Sequence, residues 1–131
     1  KYQEKMSSED AKVMNWTSES EEARNAFNIG MWQLYNLEWE QAGQSFSSAI
    51  ELDESFALAY AMRARTNYFL QNQGKVAEDL DIAVSMSINA SPEEKKMIMA
   101  LSNDNNLGTN SFNQVVERLV RKYPTIQSKI R

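Results

Sequence analysis

Five positions in this chain recur at a single fixed offset. Gly30, Ala42, Phe46, Ala49 and Ile50 return, each at the same distance along the chain, as Ala64, Val76, Leu80, Ala83 and Val84. Small residues come back where helices must approach closely, and large apolar ones where a gap must be filled. Ordinary amphipathic helices share no register across a turn, so a common offset points to two copies of one helix-turn-helix unit. One such pair cannot bury its apolar stripe alone. Its neighbours must stack on it, and about three units are needed for a stable core.

The rest of the chain agrees with stacked helices. Only 4 Gly and 2 Pro interrupt 131 residues, and no segment alternates β-branched side chains. The length suits one domain, and 42% hydrophobic with 24% charged residues suits a folded one. Residues 1–17 read as a polar tail with isolated Tyr2, Met6, Met14 and Trp16, docking through Trp16. Ser18-Glu19-Ser20-Glu21 predicts a capping box and a helix over 19–35, with Ala23, Ala26, Phe27, Gly30, Met31 and Leu34 on its apolar face. A turn at 36–38 leads to a helix over 39–52, and Asp53-Glu54-Ser55 ends it. Further helices are predicted over 56–70 and 75–86. Ser91-Pro92-Glu93-Glu94 is the clearest helix start, with a Ser cap, Pro at the first helical position and acids at the dipole's positive end. That helix should stop near Asn103. A loop over 103–110 and a last helix over 111–123, halted by Pro124, complete the pattern.

Cys and His are both absent, which removes disulfides, thiolate and imidazole metal sites, Ser-His-Asp triads and a His base. No cofactor or metal site and no enzyme activity is expected, because no activated acid, base or nucleophile can be assembled. Glu38/Glu40 and Asp79/Asp81 are spaced two apart, do not share a helix face, and read as solvated charges. Asn103-Asp104-Asn105-Asn106 hints at a calcium loop, but Leu107 stands where a ligand is needed. Asn15-Trp16-Thr17 and Asn89-Ala90-Ser91 match a glycosylation pattern short enough to occur by chance. The formal net charge of −4 argues against nucleic acid. Its distribution is uneven: residues 1–56 carry 11 acidic and 4 basic side chains, and residues 57–131 carry 7 and 10. Arg118, Arg121, Lys122, Lys129 and Arg131 cluster near the C-terminus, where they suit a helix's negative end and solubility. No apolar run approaches the ~20 residues that span a membrane. The opening at Lys1 rather than Met suggests that an upstream segment has been removed.

With the offset and the helix pattern together, the chain resembles the tetratricopeptide repeat family, whose period of about 34 residues is the distance from Gly30 to Ala64. Ile29-Gly30 stands at the family's Leu-Gly pair, and Trp39-Glu-Gln-Ala42-x-x-x-Phe46-x-x-Ala49-Ile50-x-Leu52-Asp53 follows its second-helix pattern. Repeats would span about 23–56, 57–90 and, in degenerate form, 91–124, where Leu119, Val120 and Pro124 take the closing places with a two-residue shift. The sequence departs from the family at Glu54 and Ile88, where Pro is favoured, and at Gln33 and Asn67, where an aromatic is usual. Ser20-Glu21-Glu22-Ala23, Ala49–Tyr60 and Ser91–Ile98 also resemble a group of exported bacterial tetratricopeptide proteins. That likeness implies a periplasmic or exported setting, with the cytoplasm as the alternative.

The family resemblance implies an all-α fold, a right-handed superhelix of about three repeats over residues 18–131. It further implies a concave groove, lined by the first helix of each pair, that binds a protein or peptide partner. Arg24, Phe27, Met31, Leu34 and Tyr35 of the first repeat would face that groove, with Leu58, Ala61, Met62, Arg65, Tyr68 and Phe69 of the second; Phe27, Leu34, Leu58 and Met62 read first as packing between helices, and Tyr35, Arg65 and Tyr68 as either. Arg24, Phe27, Met31, Tyr35, Arg65 and Tyr68 are the expected binding residues, and aromatics with Met and Arg suit such work. The family's carboxylate clamp needs Lys and Asn where this chain has Phe27 and Met31, so the clamp is absent. Thr125–Arg131 reads as the start of another helix with Ile126 and Ile130 exposed. Either a cap has been lost, or this short helix is the cap, or another chain covers it. Two copies could meet there, or the chain could be an assembly or regulatory piece of a longer repeat protein, such as a bacterial envelope component.

Overall fold

The computed structural model describes residues 16–103. All regular structure among them is helical: α1 (Glu21–Tyr35), α2 (Trp39–Leu52), α3 (Ala57–Phe69), α4 (Gln73–Met86) and α5 (Pro92–Asn103), with one 3-10 turn at Ser87–Asn89. The tail before Trp16, the Asn-rich loop, the expected helix over 111–123, the basic cluster and the Ile126/Ile130 end lie outside the described residues.

Local chemistry sets the helix ends. Ser20 is the N-cap of α1 and accepts from the Ala23 N–H at 3.0 Å, with Glu21 and Glu22 in the first turn. The capping box expected from Ser18 is not made, and the helix starts two residues later than 19. Ser18 instead turns its hydroxyl to Asp53, donating at 2.6 Å. A true reciprocal box opens α5. The Glu94 N–H donates to Ser91 Oγ at 3.2 Å, the Ser91 N–H donates to Glu94 Oε1 at 3.3 Å, and Pro92 occupies the first helical position.

The offset that relates Gly30 to Ala64 is also a backbone period. Tyr35 and Phe69 end helices, Trp39 and Gln73 begin them, and Leu52 and Met86 end them again. The two intervening turns have the same geometry. Leu37 and Gln71 are left-handed, with φ of 63° and 62°. The Glu38 N–H reaches Gln33 O at 2.9 Å and the Leu37 N–H reaches Leu34 O at 3.0 Å. Their counterparts, Asn72 to Asn67 at 2.8 Å and Gln71 to Tyr68 at 3.1 Å, repeat the pattern. These paired bonds close the last helical carbonyls as Schellman motifs do. A side chain other than Gly in this conformation costs roughly 1 kcal/mol or more.

Packing follows chain order. α1 pairs with α2, α3 with α4, α2 joins the two pairs by packing on α3, and α5 closes against α3 and α4. The core is centred on Phe27, Phe46 and Phe56, all fully buried, with the Trp16 ring edge-on to Phe27 at 5.0 Å. Gly30 makes this arrangement possible, because a Cβ there would lie 2.6 Å from Phe46 Cε1 and 2.8 Å from Cδ1. The second unit has Ala64 and Leu80 at the same places, a methyl more on one helix and a ring less on the other. Gly30→Ala is therefore expected to destabilise the protein by about 1–2 kcal/mol, the overpacking outweighing alanine's better helix propensity. A variant as stable as the wild type in chemical denaturation would mean that the Phe46 ring can move aside freely.

Candidate functional site

The six residues expected to bind a partner do not form one surface. Phe27 is fully buried and Met31 is 3% exposed, so both belong to the core and present nothing to a groove. The reason is their register: with Ala23 and Leu34 they form the stripe of α1 that α2 and α3 cover. Leu58, Ala61 and Met62 are buried for the same reason on α3. Arg24 sits at the opposite end of α1, where its guanidinium donates to the Ser18 carbonyl.

Tyr35, Arg65 and Tyr68 are brought together, at the ends of α1 and α3 nearest the turns. The Arg65 guanidinium lies over the Phe69 ring, 5.3 Å from its centroid. The Tyr68 ring meets Phe69 edge-on at 5.5 Å, and Phe69 stacks on Trp39 at 5.4 Å with an interplanar angle of 13°. Burial pushes Arg65 down to about 10, with the Tyr35 phenol close enough to oppose that shift. Tyr35 is 40% exposed and Leu37 71% exposed. The cluster thus joins a largely dehydrated cation to aromatic faces, the side-chain types that dominate binding hot spots. Trp39 and Leu37 are not among the expected site residues. Trp39 reads from sequence as part of the α2 stripe, and nothing in a sequence marks Leu37 as left-handed.

A second feature lies where α1 begins. A cleft of about 1020 Å³ opens between Trp16, Ser18, Arg24, Asp53, Ala57 and Glu94. Residues 16–18 lie across it as a strap. The Trp16 indole donates to Asn28 Oδ1, the Thr17 N–H donates to Glu94 Oε2 at 2.8 Å, and Ser18 holds Asp53. The sequence points to the docking Trp but not to the role of Glu94, which is 2% exposed. The two carboxyls respond oppositely. Burial raises Asp53, but hydrogen bonds from Ser18 and Ser55 outweigh that and hold it below 3.8. Burial raises Glu94 above 4.5, and bonds from Thr17 and Ser91 recover only part of the shift.

A carboxyl raised in the fold contributes stability that is complete below its unfolded value and is lost as pH rises through its folded value. Glu94 should therefore make the wild type lose stability relative to Glu94→Gln as pH rises from 4.5. Asp53 acts below 3.8, where acid removes its contribution. Unfolding midpoints of both proteins across this range test the point, and a constant difference between them would contradict the assignment to Glu94.

A third cluster corrects the reading of Asp79. Asp79 is 2% exposed and receives both Arg63 Nε and Nη2 at 2.9 Å, while Asp81 is exposed. The Asn67 amide adds a 3.4 Å bond, and Arg63 Nη1 reaches Ser47 Oγ at 3.2 Å. This network pins α3 to α4 and to α2, and Asp79 raises the Arg63 pKa further. Among the described residues no group of three or more Asp or Glu is placed to hold a metal, and no helix is long and apolar enough to cross a membrane. No protein-family model, curated protein or solved structure matches the chain.

Proposed function

We propose that this chain is a non-catalytic protein-interaction module. In this reading its helical pairs are tetratricopeptide-like repeats, stacked as a right-handed superhelix, and they bind a peptide or helix of a partner protein. The equal helix ends and equal turns, related by the same offset as Gly30 and Ala64, support the repeat reading. The observation that carries the binding reading is the half-buried cluster of Trp39, Arg65, Tyr68 and Phe69 with Tyr35 exposed at its edge. It stands on two turns of the same geometry, so the fold presents it preformed and little ordering entropy is lost on binding. Phe27 and Met31 leave the working surface, and Arg24 belongs to the cleft at the other end. The surface is therefore the turn end of the expected groove.

A pull-down from an extract of the source organism tests this, with the wild type beside a Tyr35→Ala/Arg65→Ala/Tyr68→Ala variant whose helicity and unfolding are checked. A partner is expected to stay with the wild type and to be lost from the folded variant. Equal retention by both would move the working surface to the strap cleft or the other helix faces.

A further inference from the structure

Three side chains from separate parts of the fold each turn one oxygen to the strap. On α5, Glu94 uses Oε1 for the Ser91 N–H of its own capping box, and Oε2 accepts the Thr17 N–H at 2.8 Å. At the end of α2, Asp53 uses Oδ1 for the N–H and hydroxyl of Ser55, at 3.0 and 2.7 Å. Its Oδ2 accepts from Ser18 at 2.6 Å. On α1, Asn28 turns Oδ1 to the Trp16 indole, and Arg24 donates to the Ser18 carbonyl. The helices α1 and α5 do not pack on one another, so the strap itself joins them. It is held as a bound peptide is held, by two main-chain groups and two side chains.

The strap does not complete this site. An indole N–H only donates, so Trp16 uses the Asn28 carbonyl and leaves the amide Nδ2 buried without a hydrogen bond. A buried donor left in that state is costly. The cleft of about 1020 Å³ also offers more than the strap uses, since its wall includes Leu52, which is 46% exposed. Charge is mismatched as well. The strap runs on into Glu19, an acid, beside a cleft that already holds Asp53 and Glu94 against Arg24.

We propose that residues 16–18 are a displaceable internal ligand, and that the cleft binds a segment of a partner protein in their place. That segment carries an aromatic residue, Ser or Thr two residues later, and flanking basic and apolar residues. Its aromatic side chain packs on Phe27 as Trp16 does. Its next N–H reaches Glu94 and its hydroxyl reaches Asp53, the places now taken by Thr17 and Ser18. The basic residue answers the excess of carboxyls, and the apolar one covers Leu52. A tether of two residues from the Ser20 cap holds the strap at an effective concentration on the order of millimolar. The partner must therefore bind better than the strap, and the unpaired Asn28 amide, Leu52 and the acidic wall are where it can do so. This surface is separate from the Arg65 cluster, and the inference goes beyond the reading above.

The test is an anisotropy titration, up to about 1 mM, of a fluorescein-labelled peptide with the sequence of residues 14–20 carrying Glu19→Lys. The full chain is used as wild type, Ser18→Ala and Trp16→Ala, each checked for helicity. Ser18→Ala loses the bond to Asp53 but keeps the buried Trp16 ring, so it decides the question even where Trp16→Ala does not fold. Weakening the strap should favour the peptide. Its Kd is expected to fall about tenfold in Ser18→Ala and further in folded Trp16→Ala. A methyl group on the peptide's Thr nitrogen removes the donor to Glu94 and should raise the Kd about tenfold or more.

Equal Kd values for wild type and Ser18→Ala, or no binding to any of the three proteins, overturn the proposal and make the strap a fixed part of the fold. A peptide indifferent to N-methylation overturns it too, because it then binds elsewhere. A concentration-dependent wild-type dimer that Ser18→Ala weakens would mean that straps are exchanged between copies of the chain, and would overturn the partner assigned here.

Discussion

Phe27→Ala is expected to lower stability by about 4 kcal/mol, a large share of the roughly 5–15 kcal/mol that holds an ordinary domain together. The ring is fully buried and meets three others, Trp16 at 5.0 Å, Phe56 at 5.1 Å and Phe46 at 5.4 Å. Those partners come from the strap, the entry to α3, and α2. Truncation would leave a cavity where three parts of the chain meet, and helices tied by short turns collapse into it only partly. Urea unfolding followed by Trp fluorescence should show a lower midpoint with an unchanged slope. A loss below about 1 kcal/mol would mean that the first pair repacks without the ring, contrary to the packing described. The result also separates core from surface: partner loss in Phe27→Ala should follow unfolding, whereas loss in the Tyr35/Arg65/Tyr68 triple Ala variant should occur in a folded protein.

Asp79→Ala should be the second large effect, about 3 kcal/mol. Removing the carboxylate takes away two 2.9 Å bonds to Arg63 and leaves the guanidinium without its counter-charge beside α4. The Arg63 side chain is 27% exposed and can recover some hydration, which places the effect at the low end for a broken buried pair. Replacing both partners by apolar residues, Arg63→Met with Asp79→Leu, should be less damaging than Asp79→Ala alone, because no charge is then stranded. Denaturation of the single and double variants decides this. If Asp79→Ala unfolds at the wild-type denaturant concentration, the network contributes nothing and α3 and α4 are held by apolar contact alone. Because Arg63 also reaches Ser47 on α2, its loss should loosen the seam between the two pairs.

Helix positions are legible in the sequence because they depend on nearby residues. The helix from Trp39 to Leu52 has the bounds its pattern predicts, since Asp53-Glu54-Ser55 stops the apolar period at once. The start at Ser91-Pro92 is equally clear, as cap, Pro and acids act within one turn. The box expected at Ser18 fails because a serine two residues later competes for the same cap, and Ser18 finds Asp53, 35 residues on. Asp79 misleads for a related reason. On its own helix it looks like Asp81, and only Arg63 on the preceding helix makes its burial tolerable.

The all-helical character, the ends of α2 and the start of α5, and the offset from Gly30 to Ala64 are properties of the sequence by itself. They arise from 3.6-residue spacing, capping chemistry and steric size, all expressed within a turn or two of chain. The tertiary structure alone decided what covers each apolar face and which charges are buried. It put Phe27 and Met31 in the core and left Tyr35 and Leu37 at the surface, and it bonded Glu94 to Thr17, 77 residues away. A helix periodicity names a face but not what covers it. Burial, ionisation and a left-handed turn depend on partners that only folding brings within reach.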